Sequence, residues 1–366
     1  MIICVIATAS ALRGALAIYC QFVDSLRIYG GNDEWHLFLD DHMPMPEIPH
    51  VAYHVYHTKG FGRMWFDFFG FRQACKNIGI NPDIIFSLQN TGVRFKNKRN
   101  VIYYHQSIPL YRYKVGLFDK SIKEHLFYNY YYPLYVKWLM NHRTYVAVQT
   151  DTIKDLFAKR YHFPKEKIGV YFPNVEKVNG DNVKPYQYEA DTFNFLYPAM
   201  GAAYKEHMTL AYALEIVCKE KPYIGRQIRI HLTLKEGDVK GLEQFLVAYG
   251  LSQQFIFHGN LAHDDILSML KSGDGLLFPS VVETLGLPLL EGASLGVPVV
   301  ANDMPYVHDV LMPYEGVRYV TKHDYEGWAH QIISCCEMRK QYAPLVINNN
   351  SSWARLFKLI REGVVI

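Results

Sequence analysis

Short apolar runs alternate along the chain with stretches in which apolar residues recur at helical spacing. The first run occupies residues 2–7, and the same rhythm restarts at 193–197. Apolar runs bounded by turn residues predict buried strands, and their alternation with helices predicts parallel sheets. The pattern therefore predicts an α/β protein made of two doubly wound, Rossmann-like domains.

Between the two series lies a polar stretch rich in Asn, Lys, Gly and Asp, which is typical of a linker. We predict a first domain at 1–175, a linker at 176–192, a second domain at 193–345 and a closing helical segment at 346–366. The chain has 366 residues, and this length is sufficient because domains of about 100–200 residues are usual.

The composition is that of an ordinary soluble globular protein, with half of the residues hydrophobic and 20% charged. A net charge of +3 identifies no partner. The six cysteines form no CxxC pair, and the N-terminal apolar run lacks a positively charged leader. No apolar run reaches the roughly 18 residues that span a membrane. We expect a cytoplasmic protein with reduced thiols.

The segment 276–301 reads as one strand–helix–strand unit and carries the most distinctive chemistry. Pro279 ends its first strand, and a helix is predicted from about Leu285. Glu283 follows the strand's carboxyl end, where ligands bind in open α/β sheets, and Glu291 lies inside the helix. The alternative is that both are solvated surface acids, but Glu291 stands in an unusually apolar helix.

Phosphate chemistry is suggested by groups near this unit and near the restart of the strand–helix rhythm. The N–H groups of Thr284, Leu285 and Gly286 are predicted to lie at the helix N-terminus, which attracts anions. Lys205 precedes a helix predicted at 208–219 and offers a point charge for phosphate. For any single lysine, a surface role is the alternative.

In the first half, a small-residue loop at 8–15 includes Arg13 and Gly14 and opens a helix. It suits close approach of a ligand, although a plain turn is an equal alternative and the GxGxxG pattern of dinucleotide sites is absent. His105 follows a β-rich run at 101–104. It is a candidate site residue at a strand's carboxyl end, with a hydrogen-bonded structural histidine as the alternative.

Residues 110–145 interleave Tyr, Phe and Trp with Lys and Arg. Such a face suits contact with a membrane surface that carries anionic lipids, and a core-packed helix pair is the alternative. Single-stranded nucleic acid is bound by the same residue types. Because no RNA-binding motif accompanies them, no nucleic-acid partner is predicted. A peripheral location on the inner face of the membrane is therefore a further expectation.

The unit at 276–301 resembles the signature of retaining glycosyltransferase family 4. The matching residues are Pro279, Ser280, Glu283, Gly286, Leu287, Pro288 and Glu291, followed by Gly296 and Pro298. The stretches 87–91 and 104–106 resemble a bacterial polysaccharide-assembly branch of that family. The resemblance is strong over about 193–320 and weaker over 1–175.

The resemblance implies the GT-B fold, in which two Rossmann-like domains face a central cleft and the last helix returns to the first domain. It implies transfer of a hexosyl group, with retention, from a UDP- or GDP-linked sugar to a growing, lipid-linked glycan in surface polysaccharide assembly. No Asp-x-Asp motif stands at the place expected for a metal-bound diphosphate. We therefore predict a metal-independent enzyme without a cofactor.

The resemblance also assigns roles to individual residues. Glu291 would hold the ribose, Glu283 the donor sugar, and His105 the transferred sugar. The diphosphate would lie on Lys205 and on the N–H groups of the turn. The nucleobase would meet the backbone of three consecutive residues, which are Gly259, Asn260 and Leu261.

One departure from the family concerns phosphate binding. Most members carry an arginine shortly before the lysine, where this sequence has Met200 and Gly201. Arg13 is the candidate for the second cation. The missing arginine keeps a non-catalytic binding subunit open as an alternative, which the two glutamates disfavour. A nucleotide-sugar epimerase is the other alternative, but no second carboxylate accompanies His105.

Overall fold

The computed structural model describes residues 1–10, 13–58, 60–111, 123, 126–175, 178, 180–347 and 352–365, without the side chain of Arg13. These residues fall into two compact units. The first unit contains the described residues up to 111, from 123 to 174 and from 352 onward, and the second contains those from 175 to 347.

The described residues of the first unit form a seven-stranded parallel sheet with the order β3-β2-β1-β4-β5-β6-β7. Its strands are β1 Ile2–Ile6, β2 Glu34–Leu39, β3 Val51–Val55, β4 Ile84–Ser87, β5 Arg99–Tyr104, β6 Thr144–Val148 and β7 Ile168–Val170. Its α-helices are α1 Arg13–Tyr29, α2 Phe61–Trp65, α3 Phe71–Asn77, α4 Tyr132–Leu139, α5 Asp151–Tyr161 and α13 Ser352–Glu362. Two π-helical turns, Phe66–Gly70 and Phe127–Tyr131, lead into α3 and α4, and a 3₁₀ turn spans Lys165–Lys167.

The last helix, α13, packs into the core of the first unit. Phe357 stacks on Phe22 of α1 with ring centroids 5.7 Å apart, and Trp353 stacks on Tyr103 of β5 at 6.0 Å. Arg361 closes the contact by an ion pair of 2.6 Å with Asp33. Burying large aromatic rings contributes most to such packing, so the end of the chain is part of this unit's core.

The second unit contains a six-stranded parallel sheet with the order β10-β9-β8-β11-β12-β13. Its strands are β8 Phe193–Tyr197, β9 Ile228–Leu232, β10 Phe255–Phe257, β11 Gly275–Phe278, β12 Val299–Asn302 and β13 Val317–Val320. Its α-helices are α6 His207–Glu220, α7 Pro222–Gln227, α8 Leu242–Ala248, α9 His263–Ser272, α10 Leu287–Ser294, α11 Pro305–Leu311 and α12 Tyr325–Met338. Two 3₁₀ turns, Gly180–Asn182 and Ala203–Lys205, complete it.

In each sheet the strand order reverses direction beside the first strand. The reversal lies between β1 and β4 in the first unit and between β8 and β11 in the second. Connections leave such a point toward opposite sides, so a crevice opens at the carboxyl ends of the two strands, where ligands bind in doubly wound folds. The predicted class, two doubly wound α/β domains, is confirmed.

The central strands are buried along nearly all of their length, as parallel strands covered by helices must be, whereas the edge strands β3 and β13 are mostly half-buried. In β11, for example, all four residues are buried. Among the described residues, no helix combines the length and the apolar character needed to cross a bilayer.

Candidate active site

The reversal point of the second unit brings two loops together. One follows β8 and ends at Lys205, and the other follows β11 and contains Glu283. The strands pair directly, and the N–H of Val281 donates to the carbonyl of Tyr204 at 2.9 Å. Two candidates that are 78 residues apart in the sequence therefore lie side by side.

Lys205 and Glu283 form an ion pair between Nζ and Oε1, and their side chains are only 13% and 16% exposed. The lysine ammonium also lies 5.8 Å from the centre of the Phe278 ring. A pair so far from water loses hydration, so it is weak evidence for stability. Chemically, it presents one cation and one acceptor-only group at the same point of the sheet.

The turn before α10 differs in detail from the prediction. The helix begins at Leu287 rather than at Leu285, because Gly286 adopts a left-handed conformation with φ 68° and ψ 60°. Thr284, Leu285 and Gly286 therefore precede the helix, and their N–H groups have no acceptor among the described residues. The first-turn N–H of Leu289 is used by the carbonyl of Gly286 at 2.9 Å. The anion-binding groups thus belong to the turn itself.

Glu291 lies in α10 with a side chain that is 12% exposed, and its Oε1 is 2.9 Å from Nε2 of His263. His263 is the first residue of α9. Sequence reasoning missed this histidine, since a single exposed histidine at a helix start carries no signal. The carboxylate is thus held in place and can accept hydrogen bonds from a neighbouring diol.

The loop after β10 also contains a backbone conformation that favours glycine. Gly259 has φ 69°, and its N–H donates to the carbonyl of Leu234 at 2.8 Å. Asn260 is exposed and Leu261 is half-buried. The backbone of this loop is therefore ordered, and it remains accessible beside the sheet edge.

In the first unit, His105 directly follows β5. Its N–H donates to Oδ1 of Asn90 at 2.6 Å, and its Nε2 lies 3.4 Å from Nδ2 of the same asparagine. Burial, followed by the charge of Arg63, lowers the pKa of His105 to about 4. The ring is therefore neutral at physiological pH, and its buried Nδ1 has no partner among the described residues.

A buried network of polar groups holds the loop that contains Asn90. Asp67 is fully buried and accepts hydrogen bonds from Gln89 Nε2 at 2.9 Å, Thr91 Oγ1 at 3.1 Å and the hydroxyl of Tyr135. Arg63 donates to the carbonyl of Gln89 at 2.7 Å. Burial raises the pKa of Asp67 to about 6, although Arg63 and the hydrogen bonds oppose this shift. Sequence reasoning missed Asp67 and Arg63, and an acid inside an aromatic helical stretch was the available signal.

The remaining candidates of the first unit lie at the start of α1. Arg13 is its first residue, and its side chain is outside the described part of the chain. A Cβ on Gly14 would meet nothing within 4 Å, so the backbone there is open to approach. Thr8 lies across the reversal point and donates to Oε1 of Gln89 at 3.0 Å.

Among the described residues, one group of side chains has the spacing of metal ligands. It consists of Asp40, Asp41 and His57, whose ligand atoms lie within 4.8 Å of one another. The group follows β2 and β3 in the first unit. It is separate from the loops that carry Lys205 and Glu283.

The second unit also matches a known family. Residues 185–351 match the model of the family described as Glycosyl transferases group 1. Lys205, Glu283 and Glu291 all lie within the matched residues, so the resemblance to a glycosyltransferase family read from the sequence is confirmed.

A curated relative of the chain is the O-antigen chain mannosyltransferase RfbU of Salmonella typhimurium. The two sequences are 26% identical over 66% of this chain, and the match spans 65% of the length of that relative.

Solved structures share the fold over nearly the whole chain. WaaG, a glycosyltransferase involved in lipopolysaccharide biosynthesis, is 13% identical with a TM-score of 0.65, covering 99% of this chain and 100% of WaaG. HepE of Anabaena, solved with UDP and glucose, is 14% identical with a TM-score of 0.62, covering 100% and 96%. These likenesses show the fold alone, and the predicted GT-B fold is confirmed.

Proposed function

We propose that this protein is a retaining glycosyltransferase that moves a hexosyl group from a nucleotide diphosphate sugar to a growing, lipid-linked glycan. The group 1 domain supports glycosyl transfer. The relative that is named an O-antigen chain mannosyltransferase supports a role in surface polysaccharide assembly. HepE was solved with UDP and glucose, which supports a nucleotide-linked donor.

The observation that carries the proposal is the ion pair of Lys205 and Glu283 at the reversal point. An ammonium group has three donors, and a carboxylate accepts from hydroxyl groups. When a donor binds, its diphosphate takes the place of Glu283 beside Lys205, and Glu283 turns to hydroxyl groups of the sugar. The pair thus fits a ligand with a negative part and a polyhydroxylated part.

The leaving diphosphate gains charge as the glycosidic bond breaks. Lys205 and the N–H groups of Thr284, Leu285 and Gly286 are proposed to meet that charge, because they share the reversal point. Fixed donors aimed at developing charge are usually the largest catalytic contribution. No metal ion is needed for this role.

The nucleoside is proposed to lie on the next loops of the same unit. Glu291 accepts from the ribose hydroxyls, with His263 keeping the carboxylate oriented. The nucleobase stacks against the backbone at Gly259, Asn260 and Leu261. On this proposal the base meets the loop after β10, the ribose meets helix α10, and the diphosphate meets the loops after β8 and β11, all in one unit.

Retention of configuration needs no general base for the acceptor, because the departing diphosphate can take its proton. His105 is neutral at physiological pH and is proposed to hydrogen-bond the transferred sugar. His105→Ala should therefore slow transfer far more than it weakens nucleotide binding. Arg13 and Gly14 are proposed to approach the donor from the start of α1.

Membrane contact through 110–145 is part of the proposal, since the acceptor is lipid-linked. Residues 112–122, 124 and 125 lie outside the described part of the chain. The described remainder carries exposed aromatic side chains, among them Tyr131 and Trp138. Aromatic and basic side chains together suit a lipid interface.

The decisive experiment mixes the purified protein with UDP- and GDP-linked hexoses and measures free nucleotide. Slow release without acceptor, faster with a glycan acceptor, is expected. Formation of a new nucleotide sugar without release would instead identify an epimerase, and binding without either would identify a non-catalytic subunit. An NMR coupling constant that shows a β-linked product from an α-linked donor would contradict retention.

A further inference from the structure

The first unit exposes large aromatic side chains along α2 and the π-helical turn that follows it. Phe61, Trp65 and Phe69 are 89%, 59% and 59% exposed. Residues four apart lie on one face of a helix. This face is therefore an apolar stripe in contact with solvent, which usually marks an interaction surface.

A second stripe runs along the π-helical turn Phe127–Tyr131 and helix α4. Tyr130, Tyr131, Leu134 and Trp138 are between 51% and 70% exposed. Tyr131, Leu134 and Trp138 are three and four residues apart, which places them on one helix face, and Tyr130 lies next to Tyr131 in the sequence. The opposite face of α4 is buried in the core through Val136 and Leu139, so the exposed stripe is not a sign of poor packing.

A chain of ring contacts joins the two stripes. Phe69 lies 6.1 Å from Phe68, Phe68 lies 6.0 Å from Tyr135, Tyr135 lies 6.2 Å from Tyr132, and Tyr132 lies 6.0 Å from Phe127. Phe69 and Phe127, at the two ends of this chain, are exposed. Tyr132 and Tyr135 are buried, so the two stripes lie on elements that pack against each other. We call the two stripes together the aromatic face (Phe61, Trp65, Phe69, Tyr130, Tyr131, Leu134 and Trp138).

The exposed charges within the stretches of chain that carry the aromatic face are of one sign. In the described residues at 60–80 and 126–150, Asp67 is the sole acidic side chain, and it is fully buried. The exposed charged side chains there are Arg72, Lys76, Lys137 and Arg143. Tyr and Trp prefer the boundary between headgroups and acyl chains, and cations beside them attract anionic lipids.

We infer that the aromatic face docks on a lipid bilayer that carries anionic headgroups. This inference rests on the membrane part of the proposed function, which concerns residues 110–145. It extends membrane contact to α2, which lies outside that stretch. Two helices side by side insert rings from both stripes, while Lys137 and Arg72 stay at the level of the headgroups. Docking keeps the enzyme at the surface where a lipid-linked acceptor resides.

The test uses the full chain and vesicles of phosphatidylcholine with and without phosphatidylglycerol, separated by sedimentation. F61S/W65S/F69S and Y131S/W138S should each lower binding to anionic vesicles at least about tenfold. Added salt should weaken the binding of the unchanged protein. The matched control is Y223S/Y249S, which removes two exposed tyrosines of the second unit and should leave vesicle binding unchanged.

Three outcomes would overturn the inference. The first is an equal loss of vesicle binding in the control variant. The second is equal binding of the unchanged protein to neutral and anionic vesicles. The third is self-association of the unchanged protein that disappears in the aromatic-face variants. Nucleotide release in the absence of vesicles tests the proposed function separately, because the rate of release should be the same in the aromatic-face variants as in the unchanged protein. An unchanged rate also shows that the variants fold.

Discussion

The two sheets reverse their strand order in the same way, but the chemistry at the two reversal points differs. In the second unit the point holds a charged pair, Lys205 and Glu283, beside three backbone N–H groups without an acceptor among the described residues. In the first unit the loop after β4 contacts His105, which is neutral at physiological pH, and Asp67, which is fully buried and has several hydrogen-bonding partners. The charged pair is chemically open to a ligand, whereas Asp67 is already satisfied within the protein.

Free energy for ligand binding and rigidity of the loops come from different kinds of polar group. Groups that exchange partners on ligand binding must be only partly satisfied beforehand, as in the second unit. Groups that fix a loop must be satisfied completely, because a buried polar group without a partner costs about 1–3 kcal/mol. We expect substitutions of Asp67 and its partners to affect mainly stability, and substitutions of Lys205 and Glu283 to affect mainly turnover.

The largest effect is expected for Lys205→Met. Removing a fixed donor from developing charge lowers turnover about a hundredfold to a thousandfold. Because the substitution leaves Glu283 without its cation, it also lowers the free energy of unfolding, by up to about 3–5 kcal/mol. Steady-state kinetics and urea unfolding measure the two. Lys240→Met, at an exposed lysine of the same unit, is the matched control. A large loss of stability with normal turnover would reverse the comparison.

The next effect concerns the pH dependence of stability and Asp67→Asn. The folded-state pKa of Asp67, about 6, lies above the ordinary value of 3.8. The folded state therefore binds the proton more tightly. The stability contributed by this group is fully present below about pH 4 and is lost as the pH rises through 6. Relative to the unchanged protein, the asparagine variant should gain about 2 kcal/mol between pH 4 and 6.

His105 has the opposite sign. Its folded-state pKa of about 4 lies below 6.5, so the folded state disfavours the proton and stability rises with pH between these values. The effect of His105 is common to both proteins and is absent from their difference. Urea unfolding at pH 4.5 and 6.5 gives the difference in the free energy of unfolding between the two proteins. If that difference is the same at both pH values, Asp67 is not protonated in the folded state.

A smaller effect is expected for Glu291→Ala. Losing a charged hydrogen bond costs about 1.5–3 kcal/mol, which is a factor of about 10–150 in the Kd for the nucleotide. Glu283→Ala should mainly lower turnover instead. His263→Ala is the control, because it touches Glu291 without accepting from ribose, and it should change the Kd much less. Calorimetry measures the Kd of each variant. A larger rise in Kd for His263→Ala than for Glu291→Ala would contradict the placement of the ribose on Glu291.

Much of the second unit could be predicted from the sequence, because its signals are local. The apolar run before Pro279, the two glutamates and Gly286 lie within one strand–helix unit, so their order along the chain predicts their placement. The left-handed conformation of Gly286 moves the helix start to Leu287. The sequence does not predict this shift, because glycine adopts both left-handed and helical conformations.

The first unit was harder to predict because its network is built from distant residues. Asp67 meets Tyr135 across 68 residues, and the exposed stripe at 61–69 depends on which helix face packs inward. Neither is encoded in a short pattern. The residues at 112–122, which prompted part of the membrane prediction, lie outside the described part of the chain.

The smallest expected effect is that of a chelator. If Lys205 and the turn N–H groups balance the diphosphate charge, EDTA should leave turnover unchanged, since a metal ion would otherwise supply that charge. The first unit provides the internal comparison, because Asp40, Asp41 and His57 have ligand spacing there. Asp40→Asn/Asp41→Asn should likewise leave turnover intact. Loss of activity with EDTA and recovery with magnesium or manganese would contradict a metal-free mechanism. The same loss of activity in the aspartate variant would then locate the metal in the first unit. In that case Lys205 and the turn in the second unit would not be the groups that balance the charge of the diphosphate.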